Sequence, residues 1–173
     1  MKSNKIKGAK NITIAALYAD ADLKYWDEME RHLGLLAKMH SNVRIWTVKD
    51  IDLGSEVKQE IRRELSQADI TLLLLSADFA IENVFDEETR ILLSNYAAHA
   101  GKGRYVMPVI VQDFMWRDQY DDAFDIEKLK FFDRIIENPE NREAIYREIT
   151  ETLNQYIKEI NVRSINFVIP TWV

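Results

Sequence analysis

No cysteine occurs among the 173 residues. That removes disulfides, thiolate nucleophiles and zinc–sulfur centres, and it suits a reducing cytoplasm, which is the expected location. Histidine is scarce. His32, His40 and His99 share no metal-like spacing, so they read as surface or helix-end residues and no metal site is expected. Glycine occurs only five times, and no glycine-rich phosphate loop exists, so neither a P-loop nor a Rossmann fingerprint is present. No apolar run approaches the ~20 residues of a membrane span, and the opening residues do not follow a signal-peptide pattern. Basic charge is in deficit: 23 Lys and Arg against 29 Asp and Glu leave a net charge of −6, with a pI near 5.2. That balance argues against a nucleic-acid surface. Contact with membrane or nucleic acid is accordingly not expected.

What is present is the composition of a globular domain, 47% hydrophobic and 30% charged. Residues 1–11, with Lys2, Lys5, Lys7 and Lys10, read as a flexible basic leader. Residues 12–160 read as one domain. Residues 161–173 read as an apolar tail, too hydrophobic to be solvated, that packs back on the domain or docks on a partner.

Within the domain, strand and helix signals alternate. Ile12–Leu17 and Val43–Thr47 are apolar enough for strands. Between them Leu23, Trp26, Met29, Leu33 and Leu36 recur at three- and four-residue spacing, which predicts a helix over Leu23–Met39 with Asp20 or Asp22 as its cap. A polar loop, Val48–Gly54, leads to a helix over about Ser55–Ser66 that keeps Val57, Ile61 and Leu65 on its core side. Asp69–Ser76 is an apolar run without alternation, the mark of a strand buried on both faces of a parallel sheet. A loop follows, then a helix reaching about His99. Arg104–Val111 reads as a fourth strand, with Pro108 placing it toward an edge or marking an irregularity. Gln112–Phe132 is irregular, a short fifth strand is expected near Phe131–Ile136, and a last helix starts at Asn138-Pro139. Its buried face is Ala144, Ile145, Ile149, Leu153, Tyr156, Ile157 and Ile160. This alternation predicts an α/β fold: a flavodoxin-like three-layer sandwich with a mostly parallel five-stranded sheet and helices on both faces.

In such sheets ligands bind outside the carboxyl ends of the strands, which directs attention to Ser76 and to Asp86, Glu87 and Glu88. Each helical residue turns about 100°. With Phe85 as origin, Thr89, Leu92, Leu93 and Tyr96 form the buried stripe, Glu87 points away from it, and Glu88 lies on its flank. A half-desolvated carboxylate beside a crevice is expected there, a setting for unusual chemistry. The alternative is a residue that only complements the helix dipole, worth about 0.3–1 kcal/mol; phase alone leaves both open. Asp86 and Glu87 read as dipole and solubility residues.

Taken together, these segments resemble the TIR (Toll/interleukin-1 receptor) domain family, of the bacterial type. The resemblance rests on Tyr18-Ala19-Asp20-Ala21-Asp22 in the place of the Ser-Tyr-Ser-x-x-Asp signature. It rests also on Ile45–Gly54 leading into the so-called BB loop, and on Ala68–Phe79 with its Ala-Asp, apolar strand and Ser-x-x-Phe. Val84-x-x-x-Glu88 falls on the aromatic-x-x-x-Glu motif, Val106–Ile110 with Trp116 on the next strand, and Asn141–Ile149 on the final helix. Departures are Leu17 and Ala19 at usual serine positions, a loop without proline, and Val84 in place of the aromatic.

The resemblance implies cleavage of NAD at the nicotinamide–ribose bond, giving ADP-ribose or a cyclised variant, in bacterial anti-phage immune signalling. It implies Glu88 as the catalytic carboxylate and Tyr18, Ala19, Asp20, Trp46, Lys49, Asp50, Ser76, Phe79 and Val84 around the substrate. NAD is then a substrate and no cofactor is called for. The implied partners are other TIR domains, as a homo-oligomer or filament through the 48–54 loop, and a sensor or effector protein. Plainer roles stand beside these: Ser76 closing its turn, Tyr18 and Trp46 packing, Lys49 and Asp50 as loop surface. A non-catalytic TIR scaffold and a deoxyribosyltransferase-like α/β domain are the alternative functions.

Overall fold

Alternate residues of a strand point to opposite faces, and here both faces are apolar. The computed structural model describes residues 10–82, 86–98, 104–115 and 135–166. Strands β1 (Ile12–Leu17), β2 (Val43–Thr47), β3 (Ile70–Leu75) and β4 (Tyr105–Ile110) form a parallel sheet in the order β2-β1-β3-β4. Ile14 aligns with Ile45 on one side and with Ile70 on the other, and Ile70 aligns with Tyr105. The helices are α1 (Leu23–Met39), α2 (Val57–Gln67), α3 (Ala77–Ile81), α4 (Glu87–Ala98) and α5 (Arg142–Asn166).

The central strand β3 shows why its sequence lacks alternation. Ile70, Leu72 and Leu74 face the layer of α1 and α5, where they meet Trp26, Met29, Leu33, Ile149 and Leu153. Leu73 and Leu75 face the opposite layer, with Ile61 and Leu65 of α2, Phe79 of α3 and Leu92 of α4. Every side chain of the strand is buried, and each such leucine contributes roughly 1.5–3 kcal/mol. The result is the three-layer α/β sandwich expected from the sequence, with four strands described. The fifth expected strand falls mostly outside the described residues. Its end is present as a parallel bridge between Ile135 and Ile110, extended by Glu137 N to Val111 O at 2.8 Å. β4, with Pro108 opposite Leu73, is one of the two end strands of the four, with Ile135 bridged to it on its far side.

Several local expectations are corrected. Ala77–Ile81, read as loop, is a short helix, because the Ser76 hydroxyl caps it by accepting from Phe79 N at 3.0 Å. Asp22 holds the N-cap position of α1 but gives it no side-chain hydrogen bond. On α2, Val57 is 46% exposed rather than core, while Glu64 is buried. Arg44 of β2 meets Glu64 at 2.7 Å and Arg63 meets it at 3.1 Å, so the buried carboxylate is paired. α5 begins at Arg142, later than Asn138, whose side chain instead accepts from Glu140 N within the preceding turn. Tyr146, absent from the expected stripe, is fully buried on α5. Its hydroxyl donates to Tyr25 O and to Glu28, each at 3.2 Å.

At the domain margins, α5 runs on to Asn166, so residues 161–166 continue the helix. Lys10 pairs with the buried Asp69, which fastens the chain just ahead of β1. His32 meets Glu143 at 3.3 Å and His40 meets Asn154 at 2.7 Å, both joining α1 to α5. His99, Trp116 and residues 167–173 lie outside the described residues, as do residues 1–9. Among the described residues no helix is long and apolar enough to cross a membrane.

Candidate active site

Three groups of side chains stand where the strands end. The first joins the loop after β1 to the turn after β3. Ser76 is fully buried and donates its only hydroxyl proton to Asp22 Oδ2 at 2.5 Å while capping α3. Asp22 is 1% exposed. Burial pushes its carboxyl above the ordinary range; the Ser76 hydrogen bond opposes the shift, and the nearby Asp78 and Glu82 charges add to it. Asp20 N donates to Glu82 at 3.2 Å, a second tie between the loop and α3. Ala19 and Phe79 are buried in the α2–α4 layer. Tyr18 lies in the other layer, its ring stacked on Trp26 at 5.2 Å and 11°. Burial raises the Tyr18 phenol, so it stays protonated at neutral pH. This group is a packed, hydrogen-bonded clamp.

The second group surrounds the 48–54 loop. A 3-10 turn, Val48–Asp50, opens the loop and is closed by a capping box. Thr47 N donates to Asp50 at 2.7 Å, and the Thr47 hydroxyl accepts from Lys49 N at 3.2 Å. Asp50 is thereby committed to the backbone. Lys49 reaches Asp27 of α1 at 3.3 Å. Trp46 is buried under the loop and lines a cavity of about 320 Å³ with Arg44, Asp50, Glu60, Arg63 and Glu64. The tip residue Leu53 is fully exposed. Gly54 follows with φ of +93°, the one positive φ among the described residues, a backbone state that L side chains rarely adopt.

The third group is the start of α4. Asp86 caps the helix by accepting from the Thr89 N–H at 2.9 Å and the Thr89 hydroxyl at 2.8 Å. Partial burial acts against ionisation of Asp86, but these bonds and the Arg62 charge outweigh it and hold the carboxyl below its ordinary range. Glu87 points away and pairs with Arg90 at 2.8 Å, which lowers its pKa as well. Thr89 is buried and Leu92 packs toward the core, in line with the expected stripe; Phe85, Val84 and the side chains of Leu93 and Tyr96 lie outside the described residues.

Glu88 differs from its expected surroundings. It is 73% exposed rather than half-desolvated, because the helix begins only at Glu87 and its second residue stands clear of the core. Its Oε2 accepts from Arg62 Nη1 of α2 at 2.5 Å. Oε1 has no hydrogen-bond partner among the described residues. The carboxylate thus has one oxygen held and one presented, beside the amino end of a helix. Such a group can accept from sugar hydroxyls and stabilise a developing cation.

No hydrogen bond joins Glu88 to Ser76 or to the loop after β1 among the described residues. The expected site residues therefore fall into the clamp (Tyr18, Ala19, Asp20, Ser76, Phe79), the loop (Trp46, Lys49, Asp50) and the helix start (Glu88). Asp22, Glu82 and Arg62 are not among the site residues expected from the sequence. Asp22 stands in the quoted signature, but its burial depends on the β1–β3 pairing. Arg62 looks like any exposed-face arginine until the α2–α4 crossing is known.

A family model described as TIR domain matches residues 16–150, more than half of the chain. The uncharacterized protein y4lF of Sinorhizobium fredii (strain NBRC 101917 / NGR234) is 30% identical over 100 residues. That match covers 57% of this chain and 30% of the relative, so the chain spans less than a third of the curated relative. The crystal structure of the RPS4 and RRS1 TIR domain heterodimer has a similar fold, with a TM-score of 0.51 and 15% identity. The similarity covers 84% of this chain and 96% of that one.

Proposed function

We propose, since this chain belongs to the TIR domain family, that it cleaves NAD at the bond between nicotinamide and ribose, with Glu88 as the catalytic carboxylate. The observation that carries this is the Glu88 carboxylate at the head of α4, one oxygen held by Arg62 and the other open. The chemistry demands little more. The nicotinamide ring of NAD is already cationic, so the bonding electrons leave with it and neutralise it. The ribose passes through an oxocarbenium-like state. A fixed carboxylate beside that carbon opposes the positive charge and accepts from the ribose hydroxyls. Water completes the reaction to ADP-ribose, or a nucleophile within the molecule completes it to a cyclised product. NAD is the substrate, and the reaction needs no cofactor. Tyr18, Ala19, Asp20, Ser76 and Phe79 serve by shaping the wall behind the site, since their side chains or backbone are committed to packing and to the clamp.

Self-association belongs to the same proposal. The loop 48–54 ends in a solvated leucine and a glycine, a projecting contact for a second TIR domain. A head-to-tail contact of that kind generates open assemblies. The setting proposed is the cytoplasm, in bacterial anti-phage immune signalling alongside a sensor or effector. The test is nicotinamide release from NAD by concentrated protein. Turnover that disappears in Glu88→Ala and persists in Glu87→Ala supports the assignment. Absence of turnover, even under crowding, contradicts it.

A further inference from the structure

Glu88 does not stand alone, and the residue that holds it is itself held. Arg62 Nη1 lies 2.5 Å from Glu88 Oε2 and 3.3 Å from Asp86 Oδ2. Asp86 is fixed in turn by two hydrogen bonds from Thr89, and Thr89 is buried. A line of contacts thus runs from the core side of α4, through its cap, to a guanidinium on the neighbouring helix, and back to the exposed acid. An exposed glutamate at the second position of a helix has several rotamers open to it, and losing the wrong ones before reaction is worth much of a rate. We propose that Arg62 is a positioning residue for the reaction at Glu88: it fixes Oε2 and so presents Oε1 to the ribose. This rests on the NAD-cleaving role proposed for Glu88.

The geometry distinguishes this from a passive surface pair. An isolated exposed pair is loosely formed and contributes little. Here the cation is only 30% exposed, and it is anchored on a cap carboxylate that is 22% exposed. Both contacts are made by one nitrogen. Arg62 Nε and Nη2 make no hydrogen bond among the described residues, so the polar contacts it makes there join α2 only to the start of α4. Removing it therefore releases Glu88 without undoing the domain.

The test uses the full chain in the nicotinamide-release assay. Arg62→Ala is expected to lower kcat about tenfold to a hundredfold with KM for NAD little changed, and to leave the melting temperature within about 4 °C of wild type. Methylguanidinium added to Arg62→Ala is expected to restore a measurable part of kcat. Arg62→Lys is expected to retain more activity than Arg62→Ala, because one nitrogen makes both contacts. Arg31→Ala, at an exposed position of α1, is the control with wild-type kcat. An unchanged or raised kcat in Arg62→Ala overturns the proposal. A raised KM with intact kcat also overturns it, by placing Arg62 on the substrate. A kcat loss that methylguanidinium does not reverse and that comes with a large fall in melting temperature overturns it in favour of a structural role. Wild-type protein that releases no nicotinamide overturns the function proposed for Glu88, and this inference with it.

Discussion

Two acids on the carboxyl-end side of the sheet stand in opposite surroundings. Asp22 is 1% exposed and its carboxylate meets a neutral hydroxyl, that of Ser76. Glu88 is 73% exposed and meets a guanidinium. Both belong to segments that resemble a family signature; the resemblance assigns the chemistry to Glu88, while Asp22 reads from the sequence as a helix cap. The structure separates their work. The buried acid ties the β1 loop to the β3 turn and has no open oxygen facing solvent, so its value lies in the fold. The exposed acid is held on one side only, so its value lies in what it can contact next. Burial raises the cost of ionising a carboxyl, and Asp22 bears that cost.

The comparison can be broken most forcefully at Glu88. Glu88→Gln is expected to lower kcat for nicotinamide release by about 10²–10³ with the melting temperature unchanged. The clamp gives the next effect. Ser76→Ala removes both the cap of α3 and the hydrogen bond to a buried carboxylate, for a loss of about 2–4 kcal/mol in denaturant unfolding.

The pH dependence of stability then sharpens the contrast, because Asp22 and Asp86 titrate in opposite senses. The folded pKa of Asp22 lies above its unfolded value. The protonated acid is therefore the form that the fold prefers, and its contribution is present at low pH and lost as pH rises through the folded pKa. Asp22→Asn is expected to gain stability over wild type above the ordinary carboxylate range. The folded pKa of Asp86 lies below its unfolded value. Its contribution is present above the unfolded pKa and lost as pH falls through the folded one. Asp86→Asn is expected to be less stable than wild type at neutral pH, with the difference closing in acid. Unfolding series across pH on the two variants check both signs. The smallest expected effect lies in the second group. At Gly54 a Cβ meets nothing within 4 Å but the φ is +93°, so Gly54→Ala costs about 1–2 kcal/mol of backbone strain without crowding, read from the same denaturant curves.

Much of the fold was legible because the strands carry it. A run such as Ile70–Leu75, apolar at every position, has one economical placement, between two helical layers, and α1 announced itself by the spacing of Trp26, Met29, Leu33 and Leu36. The errors share a cause. Val57 looked like core because four-residue spacing from Ile61 put it there, but the first residues of α2, 57–59, are exposed. Glu64 looked like surface until Arg44 of the neighbouring strand supplied its partner. The helix α3 hid in five residues, too few for periodicity, and only the Ser76 cap reveals it. At the site, helical phase reached Glu88 but not its exposure. Phase gives direction around a helix, while exposure depends on where the helix starts relative to the layer beneath. Arg62 had no signal at all, since α2–α4 proximity comes from the crossover connections and not from either helix alone.

The most direct test measures activity and melting together on Glu88→Gln and Ser76→Ala beside wild type. Glu88→Gln is expected to melt with wild type and to release nicotinamide from NAD about 10²–10³-fold more slowly, while Ser76→Ala melts well below it. Nicotinamide release by Glu88→Gln at the wild-type rate would contradict the catalytic role of Glu88.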